Sequence, residues 1–87
     1  MTQEADNPVF LQVLLLDRID RARNMARYYV LSIEPTLFEE ISLVRRWGRI
    51  GSAGKTRIDL YLSPPAAQIE LEKWLSRKRR RGYMIRA

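Results

Sequence analysis

The chain has 87 residues, 16 Lys and Arg against 10 Asp and Glu, a formal charge of +6, and neither His nor Cys. That length fits one domain with a small core. The two absences exclude disulfides, thiolate nucleophiles, Cys- or His-based metal sites and a Ser-His-Asp triad. The carboxylates that could replace His in acid–base work are scattered along the chain, so no catalysis, metal or cofactor is expected.

Residues 1–8 are polar, end in Asn7-Pro8 and read as a flexible N-terminal tail. Residues 9–19, rich in Val, Leu and Phe, predict a first strand. The apolar stretch from Val9 to Leu16 is too short to span a bilayer. It follows Glu4 and Asp6 rather than a basic segment, so no targeting or membrane segment is expected and the protein reads as cytoplasmic. Arg18 to Ala26 mixes charges around Asn24 and reads as a turn or short loop. Arg27 to Glu34 alternates, with Tyr29, Leu31 and Ile33 on one face, and Pro35 ends the strand. Leu37 to Trp47 predicts a third strand, and the glycines of Gly51-Ser52-Ala53-Gly54 suit a tight turn. Arg57 to Leu62 alternates again, with Ile58, Leu60 and Leu62 on one side, so the turn and its flanks read as an antiparallel hairpin.

Ser63-Pro64-Pro65 opens a helix, with Ser63 at the N-cap and Pro64 in the first turn, where its missing N–H costs nothing. Ala67, Leu71, Trp74, Leu75 and Lys78 share one helix face, and Gly82 suits the left-handed position that stops the helix after Arg81. The expected architecture is α+β: an antiparallel sheet of about four to five strands with one C-terminal helix packed across one face. It spans 9–84 as a single domain, followed by a short C-terminal tail at 85–87.

The charge is unevenly placed. Residues 1–76 hold ten basic and ten acidic side chains, so the whole +6 belongs to residues 77–87. Arg77, Lys78, Arg79, Arg80 and Arg81 form a dense basic run that suits phosphate attraction, and also a helix C-terminus. Gly54-Lys55-Thr56 hints at a phosphate-binding P-loop, but Arg49 stands where the motif's first Gly is required and a strand, not a helix, follows. The segment Trp47-Gly48-Arg49 is more informative. Trp offers a flat face to a base or sugar, and Arg offers a fork to phosphate; the alternative is a core Trp beside a surface Arg.

The sequence resembles the WGR domain family, named for a tripeptide that stands here as Trp47-Gly48-Arg49. Asn24, Arg27, Tyr28 and Tyr29 match the family's Asn-x-x-(Lys/Arg)-aromatic-Tyr element. Ile50-Gly51 and Gly54 match the glycines after the tripeptide, and Ala67, Leu71, Lys78 and Gly82-Tyr83 match its helix. The resemblance covers roughly residues 13 to 84. It implies an antiparallel sheet crossed by one helix. In eukaryotic poly(ADP-ribose) polymerases such a domain helps recognise DNA breaks, its Trp and Arg contacting nucleic acid near a strand end. Carried over by position, Trp47 would lie against a sugar or base, Arg49 would contact backbone or a partner domain, and Gly48 would let backbone approach closely. No catalytic or zinc-finger module accompanies these residues, so the signal-relay role is not carried over.

The expectation is therefore a non-enzymatic nucleic-acid-binding module, with DNA as the ligand, tolerant of sequence and suited to ends or breaks. Trp47, Gly48 and Arg49 would form the shaped contact, with Arg45, Arg46, Lys55 and Arg57 flanking it. Arg77, Lys78, Arg79, Arg80 and Arg81 would add sequence-independent attraction. The alternative is a protein-interaction or regulatory module docking on an acidic partner or on an enzyme encoded elsewhere. Membrane attachment is not expected, because the apolar stripe of the helix already has a core to cover.

Overall fold

The computed structural model describes residues 12–87. In chain order it contains β1 (Gln12–Asp20), a 3-10 turn (Arg21–Arg23), β2 (Met25–Pro35), β3 (Ile41–Arg49), β4 (Lys55–Tyr61), α1 (Pro64–Arg80) and β5 (Met84–Ile85). The strands form one antiparallel sheet in the order β4-β3-β2-β1-β5, with α1 packed across one face. The α+β architecture expected from the sequence is the one observed. The expected tail at 1–8 and the first residues of the expected strand lie outside the described residues.

Period-two alternation sorts the sheet into two faces. Leu16, Tyr29, Leu31, Ile33, Ile41 and Leu43 point toward α1, where Ala67, Leu71 and Tyr83 complete a buried core. Leu14, Trp47, Tyr61, Trp74 and Leu75 pack around it, partly buried. In β4 the sequence pattern misleads. Ile58 and Leu60 form the more apolar side of that strand but lie on the face away from the helix, and Asp59 and Tyr61 face inward. Register with β3 decides this, because Ile41 and Leu43 must face the core and they pair with Tyr61 and Asp59.

Local chemistry fixes the connections. At the β1–β2 turn the Asp20 carboxylate accepts from the Ala22 N–H at 3.1 Å, and Asn24 closes the turn in the left-handed region at φ 51°. Between β2 and β3 the expected strand start at Leu37 is not observed. Thr36 Oγ1 instead accepts from the N–H groups of Phe38 and Glu40, at 3.1 and 3.2 Å, and Glu39 adopts φ 69°. This turn leaves Leu37 and Phe38 94% and 79% exposed, and β3 begins only at Ile41. The hydroxyl captures the backbone that a strand would need.

The helix follows its capping signals. Ser63 Oγ accepts from the Ala66 N–H at 3.3 Å and Pro64 occupies the first turn. At the other end Gly82, at φ 96°, donates to the Arg79 carbonyl and Tyr83 to the Lys78 carbonyl, both at 3.0 Å, a complete left-handed cap. That cap swings the chain back to the sheet, where Met84 pairs with Asp17 and Ile85 with Leu16. Arg86 continues the pairing through Leu15 and binds Asp17 at 2.7 Å. The segment read from sequence as a tail is thus partly a fifth strand. Among the described residues no helix is long and apolar enough to cross a membrane, and no cluster of acids could hold a metal ion.

Candidate nucleic-acid interface

β1, β2 and β3 run in register at the end of the sheet nearest the helix C-terminus. Arg18 pairs with Arg27, and Arg27 with Arg49, so three guanidinium side chains stand abreast on the helix-side face. Trp47 lies in the next row, beside Tyr29. From above come Lys78 and Arg81 of the helix end, and Tyr83. Together with Gly48 these residues line a cleft of about 370 Å³, and none of them is acidic. Gly82 helps to admit Arg18, since a Cβ there would sit 3.3 Å from its Nε.

The cleft is an electrostatic concentration without internal neutralisation. Lys78 Nζ sits 4.4 Å from the centroid of the Tyr29 ring and 5.4 Å from that of Tyr83. Burial, then the charges of Arg81, Arg45 and Arg27, push its ammonium below the ordinary lysine range. Like charges opposed across strands oppose folding, so the arrangement favours an anion between them. Trp47 is half-buried, stacked on Tyr29 at 5.9 Å and 25°. Arg49 is pre-oriented by Asn24, donating to its backbone carbonyl at 3.2 Å and to its side-chain oxygen at 3.3 Å. The Asn of the β1–β2 turn and the Arg of the tripeptide are thus one unit.

Gly48 has a packing role besides its place in the cleft. A Cβ there would lie 2.8 Å from Gly54 Cα. The close approach it permits is that of the β3–β4 turn, which Tyr28 clamps by donating to the Ala53 carbonyl at 2.9 Å.

The remaining residues singled out from the sequence divide. Arg77 and Arg80, with Trp74, Lys78 and Arg81, line a second cleft of about 450 Å³, and Arg77 Cζ sits 4.8 Å over the Trp74 ring. Lys55 is exposed and in register with Trp47. Arg57 is exposed but ion-paired with Asp59 at 3.4 Å. Arg79 lines a separate cleft with Gly82, Tyr83, Met84 and Ile85. Arg46 lies on the opposite face of the sheet and donates to Thr56 Oγ1.

Arg45 is placed differently from the flanking contact expected of it. It is only 8% exposed, with Cζ 3.8 Å over the Trp74 ring and 5.8 Å from that of Trp47. Its guanidinium donates to the Tyr29 hydroxyl at 3.3 Å and pairs with Asp59 at 3.7 Å. Burial pushes the Tyr29 hydroxyl above its ordinary pKa, against the opposing effect of Arg45. Arg45 therefore braces the aromatic layer beneath the site.

Sequence reasoning missed Arg18, Arg27 and Tyr83. A signal for two of them was present: Arg18 and Arg27 share the parity of Leu16 and Tyr29, so they sit on the core face just beyond the residues the helix covers.

A family model described as the WGR domain matches residues 12–87. A relative named "Uncharacterized protein y4dW", from Sinorhizobium fredii (strain NBRC 101917 / NGR234), is 45% identical over 73 residues, which cover 84% of this chain and 36% of that protein. The chain thus spans about a third of that relative's length. No solved structure matches it. The tripeptide, the Asn24–Arg49 unit, the helix across the sheet and the match over all the described residues agree: this chain belongs to the WGR domain family.

Proposed function

We propose that this domain binds nucleic acid, DNA in the first instance, through the cationic cleft, and does so without catalysis. The observation that carries this reading is the grouping of Arg18, Arg27, Arg49, Lys78 and Arg81 around Trp47 with no acid in the lining. A backbone phosphate enters the cleft, the guanidinium groups hold it by charge-assisted hydrogen bonds, and the exposed edge of Trp47 packs on the adjoining sugar or base. Arg77, Arg80 and Lys55 extend the field around it. A reading of base edges is not part of the proposal, because the helix presents its C-terminal end to the cleft rather than lying along a groove. The family's use at DNA breaks supports a preference for ends, and a DNA ligand would be met in the cytoplasm at the nucleoid.

The test is a titration against blunt-ended, nicked and closed-circular DNA at several salt concentrations. The logarithm of the association constant should fall against log salt with a slope of roughly −4 to −6. Trp47→Ala should remove any preference for ends, whereas neutralising Arg77 and Arg80 should weaken all three forms alike. Equal, salt-insensitive, millimolar binding to all three would overturn the proposal. A second reading, a protein-docking module, rests on the face of the sheet opposite α1, which no other described element covers.

A further inference from the structure

Among the described residues, nothing packs on the face of the sheet opposite α1. Its side chains form rows across the strands. The middle row is Val13, Ser32, Val44 and Ile58. On one side lie Glu34, Ser42 and Leu60, and on the other Leu15, Val30, Arg46 and Thr56. Val13, Ile58 and Leu60 are 58%, 60% and 54% exposed, in a domain whose net charge resides elsewhere. Exposed apolar side chains grouped in this way on one face suit an interaction surface.

The charges within the patch select the occupant. Arg86, beside Leu15 at the sheet edge, is neutralised by Asp17, which leaves one acid, Glu34, and one base, Arg46, in opposite outer rows. Among the described residues neither has an ion-pair partner. Glu34 accepts from Ser32 Oγ, and Arg46 donates to Thr56 Oγ1. When two copies are placed face to face, about 10 Å apart, with a two-fold axis along the middle row, each outer row lies over the opposite outer row of the other copy. Val44 then faces its own equivalent. Glu34 stands within about one strand spacing, ~4.8 Å sideways, of Arg46 from the second copy, and the pair occurs twice by symmetry. The cationic cleft lies on the helix side, so its charges are turned away from the contact.

We propose that this open face is a docking surface for a second copy of the chain, giving a two-fold dimer of sheets with a cationic cleft on each outer side. Three rows on four strands cover on the order of 400 Å² per copy. That lies below the ~800 Å² per partner of a standard interface, so the contact belongs to the weak, transient class.

Sedimentation equilibrium of the nuclease-treated full chain, at roughly 1–500 µM, tests this. The average mass should climb from 10.3 kDa toward twice that value. Ile58→Lys should stay monomeric with an unchanged circular dichroism spectrum. Glu34→Arg and Arg46→Glu should each weaken the dimer about tenfold, and the double swap should restore it. Arg27→Gln, in the cleft, should dimerise like the parent chain, which keeps this outcome separate from that of nucleic-acid binding. A parent mass fixed at 10.3 kDa, a dimer indifferent to Ile58→Lys, or a double swap without recovery would overturn the proposal. So would a chain that dimerises only after removal of residues 1–11, which would assign the face to that segment.

Discussion

Arg27 stands between Arg18 and Arg49 with a like charge on either side, and its two expected effects have opposite signs. In the free protein each opposed like pair costs roughly 0.2–1 kcal/mol. With two such pairs removed, Arg27→Gln should therefore raise the melting temperature by about 2 °C or more for a domain of this size. The same change should lower DNA affinity and make the salt slope shallower by about one. Thermal denaturation and salt titration of one variant check both; a residue kept only for packing would lose stability and leave the slope alone. Lys78 supplies a pH dependence. Burial and the neighbouring cations lower its pKa, so its charge is lost on a rising pH before that of an ordinary lysine, whose pKa is 10.5. Binding to phosphate requires the charged form, so affinity should begin to fall below pH 10.5, while the guanidinium groups remain charged beyond about pH 12. Lys78→Arg should flatten that limb of the profile, which DNA titrations at fixed ionic strength would reveal.

The elements were legible where backbone chemistry is local. Ser63, Pro64 and Gly82 announced both ends of the helix, and the glycines after Trp47 announced the hairpin. Register was less legible, because it depends on which parity the partner strand commits to the core. Ile58 and Leu60 therefore form the more apolar side of β4 and yet face away from the helix, while Arg45, expected as a flanking contact, stands with Arg18 and Arg27 on the core-side face. The tripeptide was visible in the sequence, whereas the cleft around it joins three strands with the helix end, a juxtaposition that only topology makes. Leu37 and Phe38 show the same limit: their apolarity suggested a strand, and the Thr36 hydroxyl turned them outward. The β3–β4 turn gives a quantitative test of how such local rules meet packing. Gly51 and Gly54 both have positive φ, at 96° and 70°. A Cβ on Gly51 meets nothing within 4 Å, so Gly51→Ala should cost only the left-handed backbone penalty of about 1–2 kcal/mol. A Cβ on Gly54 would collide with the Trp47 carbonyl and the Tyr28 hydroxyl, so Gly54→Ala should cost at least about 2 kcal/mol more. Urea denaturation of the two variants compares them directly.

At the scale of the whole molecule, the two proposals fall on opposite faces of one sheet. The helix-side face ends in the cationic cleft, and the opposite face carries the apolar patch with Glu34 and Arg46. The far end of the sheet, with Leu37, Phe38, Glu39 and Glu40 at the β2–β3 turn, is apolar and acidic and belongs to neither. Leu37→Ser should consequently leave DNA affinity unchanged, a control for any general effect of altering exposed apolar residues. A dimer through the open face would direct its two clefts outward, so that one particle holds two DNA segments at once. The second segment is then captured at the effective concentration set by the dimer, and bridging occurs without any new contact to DNA. Energy transfer between two duplexes labelled with different fluorophores should rise on adding the parent chain at concentrations that populate the dimer. It should then fall when excess protein fills each duplex separately. Ile58→Lys should abolish the transfer while retaining single-duplex affinity, and Arg27→Gln should weaken both in proportion. Transfer that persists in Ile58→Lys would place the bridging in the cleft itself, with one domain gripping two strands, and would remove the open face from DNA association.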